Sequence, residues 1–194
     1  ETDYYRPFLF QARSEQRARA LDEIQSTYFF EGLGGMFLHE RVLQHLDDYV
    51  NAARRSIRQI RKTENSEDWA SLLDLRLQAF QCLMENTRNA VVYQYYLDLS
   101  KEWNLAHRPM ERLWQFNGIP ERQRLMETAR RELDNTQAII DLITSSEDPI
   151  LHLTSTPEEE DIRLLGPDLV EQLKRKMEIM IAHWEEHEQL FVKD

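Results

Sequence analysis

Apolar positions recur with a helical period along most of the chain. The longest stretch without Gly or Pro runs from Trp69 to about Leu105 and predicts a central helix. Within it Leu72, Leu73, Leu77, Phe80, Leu83, Met84, Thr87 and Val91 follow one another at helical steps and mark one docking face. Asp74, Gln78, Gln81, Glu85 and Asn89 lie opposite and read as the solvent face. Past Val92 the pattern turns. Continuing the stripe brings Gln94, Asp98 and Lys101 onto the apolar face, while Tyr93, Tyr96 and Leu97 point elsewhere. Three arrangements satisfy this: the helix kinks or ends, it rotates its buried face towards a new partner, or Gln94 and Asp98 are buried polar groups. Only the last makes a polar pocket. Its candidate ligand-binding residues are Gln94, Asp98, Tyr95 and Trp103.

The flanking elements are also helical. A first helix is expected over 6–30, with Phe10, Leu21, Ile24 and Tyr28 on one stripe and Ser14 and Arg17 in its gaps. Gly32, Gly34 and Gly35 then predict a tight turn or hinge. A second helix from Met36 to Lys62 carries Leu38, Val42, Leu46, Tyr49, Val50, Ala53, Ile57 and Ile60 inward. A short helix is expected over 109–116. A long one from Pro120 to Ile143 has Leu125, Ala129, Leu133, Thr136, Ile140 and Ile143 inward. On its flank, Arg122, Arg124, Arg130 and Arg131 interleave with Glu121, Glu127 and Glu132, which reads as a solvated, ion-paired face.

Residues 144–156 form the one long irregular segment, with Ile150, Leu151 and Leu153 pinning it to the core. Thr156, Pro157 and Glu159 signal the start of a short helix. A last helix from Pro167 to Phe191 turns Val170, Leu173, Met177, Met180, Ile181, Trp184 and Phe191 inward. There is no internal repeat and no sustained heptad pattern.

Composition sharpens the class. With 41% apolar and 30% charged residues the chain is too apolar for disorder. Only 5 Gly and 6 Pro in 194 residues favour long helices over many-stranded sheets, which need frequent turns. A net charge of −11 argues against nucleic acid as a partner, since phosphate binding needs a basic surface. No apolar run reaches the roughly 18–20 residues of a membrane span, so no membrane insertion is expected of this segment. The single Cys82 leaves no internal disulfide and reads as a small buried hydrophobe.

Candidate chemistry is sparse. His183, Glu186 and His187 match H-x-x-E-H, the inverted zinc-peptidase motif, in which two His one turn apart share a metal. Only seven residues follow His187, too few to supply a third ligand well downstream, so no metal site is expected. His39 and His45 are six residues apart and point to different sides of a helix. No His has a Glu three residues before it, which removes the di-metal carboxylate bundle. Nucleotide-binding glycine motifs, a nucleophile elbow and paired cysteines are all missing from the sequence. Arg54, Arg55, Arg58 and Arg61 crowd the end of the second helix. There they complement the helix dipole, or form a patch for an acidic partner.

The expected architecture is therefore all-α: an up-and-down bundle of four to five long helices with two short connecting helices, one domain over 1–194, cut from a larger protein. The expected function is a non-catalytic structural or interaction module without cofactors, whose partners are other domains of the same protein or a protein partner. A small-ligand sensor bundle and a metal-dependent hydrolase are the alternatives. The sequence does not assign a compartment.

Overall fold

The computed structural model describes residues 33–63, 67–105, 121–159 and 165–185. The expected helices over 6–30 and 109–116, the body of the short helix after Glu159, and the last turns from Glu186 onward lie outside the described residues. Four α-helices make up the rest: α1 (Leu33–Thr63), α2 (Glu67–Leu105), α3 (Glu121–Ser145) and α4 (Leu169–Ala182). Among the described residues 85% are helical and no strand forms, so the class is all-α. None of these helices is long and apolar enough to cross a membrane.

Three residues separate α1 from α2, and the two pack together. So short a connection makes antiparallel neighbours. α2 and α3 share the largest interface and also run antiparallel: Asn135 Nδ2 on α3 donates to the Cys82 carbonyl at 2.9 Å, while Glu132 lies beside Asn89. α4 reverses again on α3, with Lys176 beside Glu132 and Trp184 beneath the Arg130 guanidinium at 5.8 Å.

Several elements begin or end off their expected places. α1 starts at Leu33, so Gly34 and Gly35 sit in its first turn, where a turn or hinge was expected. A first helical turn has no intrahelical partners for its N–H groups and tolerates Gly there. α2 runs unbroken to Leu105, which removes the arrangement in which it ends before Asp98. At the helix start signalled by Thr156, Pro157–Glu159 form a 3-10 turn, and the residues after it lie outside the described ones. Its capping glutamate is in place: the Glu159 carboxylate accepts from the Ser155 N–H at 3.0 Å and the Thr156 N–H at 3.4 Å.

The irregular segment is pinned as expected. Ile150 is buried in a cluster with Ala79, Cys82, Ile139, Ile140, Leu169 and Leu173, against which Leu151 and Leu153 pack. Arg76 on α2 donates to the Pro149 carbonyl at 3.2 Å, and the Thr154 N–H bonds the Leu165 carbonyl at 2.8 Å.

The buried seams differ from the predicted stripes. On α2 the core face is Ala79, Cys82, Asn86, Asn89, Tyr93 and Tyr96, a run of three- and four-residue steps. The stripe read from the sequence is largely the other side of the helix: Leu73 and Phe80 are each 39% exposed and Thr87 is exposed, whereas Asn89, assigned to solvent, is 2% exposed. On α1 Tyr49 is 74% exposed, and on α4 Ile181 is 58% exposed, although both were placed inward. One physical reason covers all three helices. Burial goes to the positions that meet a neighbour, and a helix with apolar residues on more than one side does not announce which side that is.

Candidate functional site

The core contains a polar layer that the sequence reading did not assemble. Glu132 on α3 and Lys176 on α4 are both fully buried, with side chains 0% exposed, and their carboxylate and ammonium pair directly. Each sits where the helical period demands an inward residue. Glu132 falls between Ala129 and Thr136, and Lys176 between Leu173 and Met180. Asn86 and Asn89, one turn apart on α2, face them.

The hydrogen bonds close on the carboxylate. Glu132 Oε1 accepts from Asn86 Nδ2 at 2.7 Å, from Thr136 Oγ1 at 3.3 Å and from Lys176 Nζ. Glu132 Oε2 accepts from Asn89 Nδ2 at 2.7 Å. Thr136 Oγ1 also caps the Glu132 carbonyl at 2.8 Å. Apolar layers flank the group. Cys82, Ala79, Ile139, Ile140 and Leu173 lie on one side, and Tyr93, Tyr96, Leu125, Ala129 and Met180 line the seams on the other.

The electrostatics follow from burial. Loss of water pushes the Lys176 amine below its ordinary pKa, and the charge and hydrogen bond of Glu132 pull it part of the way back. Burial pushes the Cys82 thiol up to about 11; Arg54 on α1 opposes this, while Glu132 and Glu85 add to it. A thiol held protonated in this way is a poor nucleophile and a poor metal ligand. Low amine pKa is one requirement of a reactive lysine. Lys176, however, has no exposed surface and is committed to Glu132.

The residues singled out by sequence do not converge on this layer. Gln94, Tyr95, Asp98 and Trp103 lie on α2, but their side chains are outside the described residues. His183 follows α4 and is half-buried, its backbone N–H bonding the Ile179 carbonyl; Glu186 and His187 are outside the described residues. Among the described residues no three His, Cys, Asp or Glu side chains come together as a metal site would require. Arg54 and Arg61 are half-buried, whereas Arg55 and Arg58 are exposed.

Glu132 was assigned to the solvated flank of its helix, and the structure corrects that reading. Its neighbours in sequence are charged, but its register is that of Leu125 and Thr136. A usable signal was present: acidic, basic and amide residues each interrupt an inward register on three different helices. One sign of charge in such a place is an error or a surface residue. Opposite signs on two helices can satisfy each other. Compared with family models, with curated proteins and with solved structures, the chain has no match.

Proposed function

We propose that this chain is a non-catalytic helical domain serving a structural or interaction role, within one up-and-down bundle spanning 1–194. The bundle takes in the expected helix over 6–30 and the short connecting helices. The observation that carries the reading is the pairing of groups from three helices within the buried polar layer. Donors from three helices reach the Glu132 carboxylate, and the Lys176 amine pairs with it. A catalytic or ligand-binding group keeps a lone pair, a proton or an open face for its substrate. A buried layer paired across three helices instead fixes which residues of α2, α3 and α4 lie level, as single polar core positions do in coiled coils. Partners are then other domains of the same protein or a protein partner, met through the outer surfaces of the helices.

A small-ligand sensor is the second reading, favoured by the presence of amide, carboxylate and amine groups in one layer of the core. Thermal melts of the full chain against a panel of small anions, amino acids and divalent metals, zinc included, separate the two. The structural reading predicts no compound-specific rise in melting temperature. A compound that raises it in the wild type and not in the Glu132→Gln/Lys176→Met variant would replace that reading with the sensor. A rise with zinc that His183→Ala abolishes would revive the hydrolase.

A further inference from the structure

The C-terminal end of α1 carries Arg54, Arg55, Arg58, Arg61 and Lys62, with no acidic residue between Tyr49 and Thr63. The helix dipole accounts for two of these cations. Its pull falls off within the last turn, which holds only Arg61 and Lys62. Ion pairing accounts for none: among the described residues no carboxylate forms an ion pair with any of them. Acidic residues outnumber basic ones by 35 to 24 in this chain, so a run of cations without one needs a reason. Arg54 and Arg61 stand one turn to either side of buried Ile57 and are half-buried, and their Nε atoms are buried without an acceptor among the described residues. Arg55, Arg58 and Lys62 are exposed beside them.

We infer that this end of α1 docks a short acidic segment of a protein partner, which deepens the interaction role proposed above and rests on it. The exposed cations share one face: Lys62 lies two turns after Arg55, and Arg58 falls between them at a three- and a four-residue step. Arginine suits carboxylates, because its planar guanidinium grips both oxygens with parallel hydrogen bonds. The length of the patch selects the occupant. At about 1.5 Å per residue, Arg54 to Lys62 spans about 12 Å. Two turns before Arg55, on the same line, exposed Asp48 reverses the sign. Duplex nucleic acid carries a charge about every 1.7 Å, and a membrane surface is wider still, so either would run past the patch onto Asp48. A short acidic segment ends within it. The net charge of −11 does not forbid this, because at about 0.1 M salt charges beyond about 10 Å are largely screened and the local cations decide.

Fluorescence anisotropy of a labelled hexaglutamate peptide with the full chain, in about 0.1 M salt, tests this. The wild type should bind it saturably, with a Kd below about 1 mM. Arg55→Glu/Arg58→Glu should weaken binding about tenfold, as attraction turns to repulsion at two contacts. Arg55→Gln/Arg58→Gln only removes the charges and should weaken it less; it carries the test if the Glu pair unfolds. Arg122→Glu/Arg131→Glu, the same charge change at exposed positions of α3, should leave binding unchanged. No saturation below about 1 mM, or an equal loss in the α3 control, would overturn the inference. So would tighter binding of a six-nucleotide oligothymidylate or of anionic phospholipid vesicles through the same two arginines, which would give the face to nucleic acid or to a membrane. None of these failures touches the structural reading, which fails instead by the melting-temperature rises described above.

Discussion

The two sides of α2 invert the usual expectation. Its inner side is one third polar, with Asn86 and Asn89 among Ala79, Cys82, Tyr93 and Tyr96, and all six are buried. Its outer side carries Trp69, Leu73 and Phe80, all exposed, beside exposed Arg76 and Thr87. Side-chain hydrophobicity did not choose the buried side. What chose it was the supply of partners: α3 brings a carboxylate that accepts from both amides, and α4 brings the amine that pairs with that carboxylate. A polar residue can be buried at little net cost where its hydrogen bonds are met, and at a steep one where they are not.

The contrast can be broken from the inside first. Lys176→Met leaves the Glu132 carboxylate buried without its counter-charge and should cost about 3–5 kcal/mol in urea unfolding at neutral pH. A loss below about 1 kcal/mol would mean that water reaches Glu132. Asn89→Leu leaves Glu132 Oε2 without its donor and should cost less, about 1–3 kcal/mol. On the outer side Phe80→Ala should cost roughly 1–2 kcal/mol, below the range for the buried pair, because the ring is only partly removed from water. If Phe80→Ala proves the more damaging, the outer side is the real core face and the comparison is inverted.

The smallest effect is with pH. The Cys82 thiol is raised from 9.0 to about 11 in the folded protein, so the native state holds its proton more tightly than the unfolded chain. Its stabilising contribution is complete below pH 9 and is lost as the pH rises through about 11. Lys176 acts oppositely: its lowered pKa means that the unfolded chain binds the proton more tightly, so its contribution grows as pH rises towards the ordinary value of 10.5. Urea midpoints at pH 8.5 and 10.5 should therefore fall less in Cys82→Ala than in the wild type. An unchanged pH slope would remove Cys82 from the account.

Much of the fold was legible in the sequence. Long runs without Gly or Pro marked the helices, and α2 and α3 lie within a few residues of their expected bounds. Ile150 and Cys82 were placed in the core correctly because each is apolar on a segment with little freedom of register. The site was not legible, because its members are polar and on separate helices. A covered carboxylate takes a basic partner from another helix, and in the described core Glu132 takes Lys176. Period alone cannot tell a charged residue on a seam from one on its edge, which differ by a single position. Only the pairing of α3 with α4 supplies the opposite charge.

The central claim is that Glu132 and Lys176 form a closed, mutually dependent layer. A double-mutant cycle with Glu132→Gln and Lys176→Met, read by urea unfolding of the full chain at neutral pH, tests it most directly. Glutamine keeps an acceptor for Asn86, and a flipped Asn89 amide can accept its new donor, so the double variant has a satisfied neutral layer. The account predicts that each single variant loses about 3–5 kcal/mol while the double variant is more stable than either and within about 1–2 kcal/mol of the wild type. Losses that simply add in the double variant would contradict it, because two groups that do not depend on each other cannot be the layer that sets the register of this bundle.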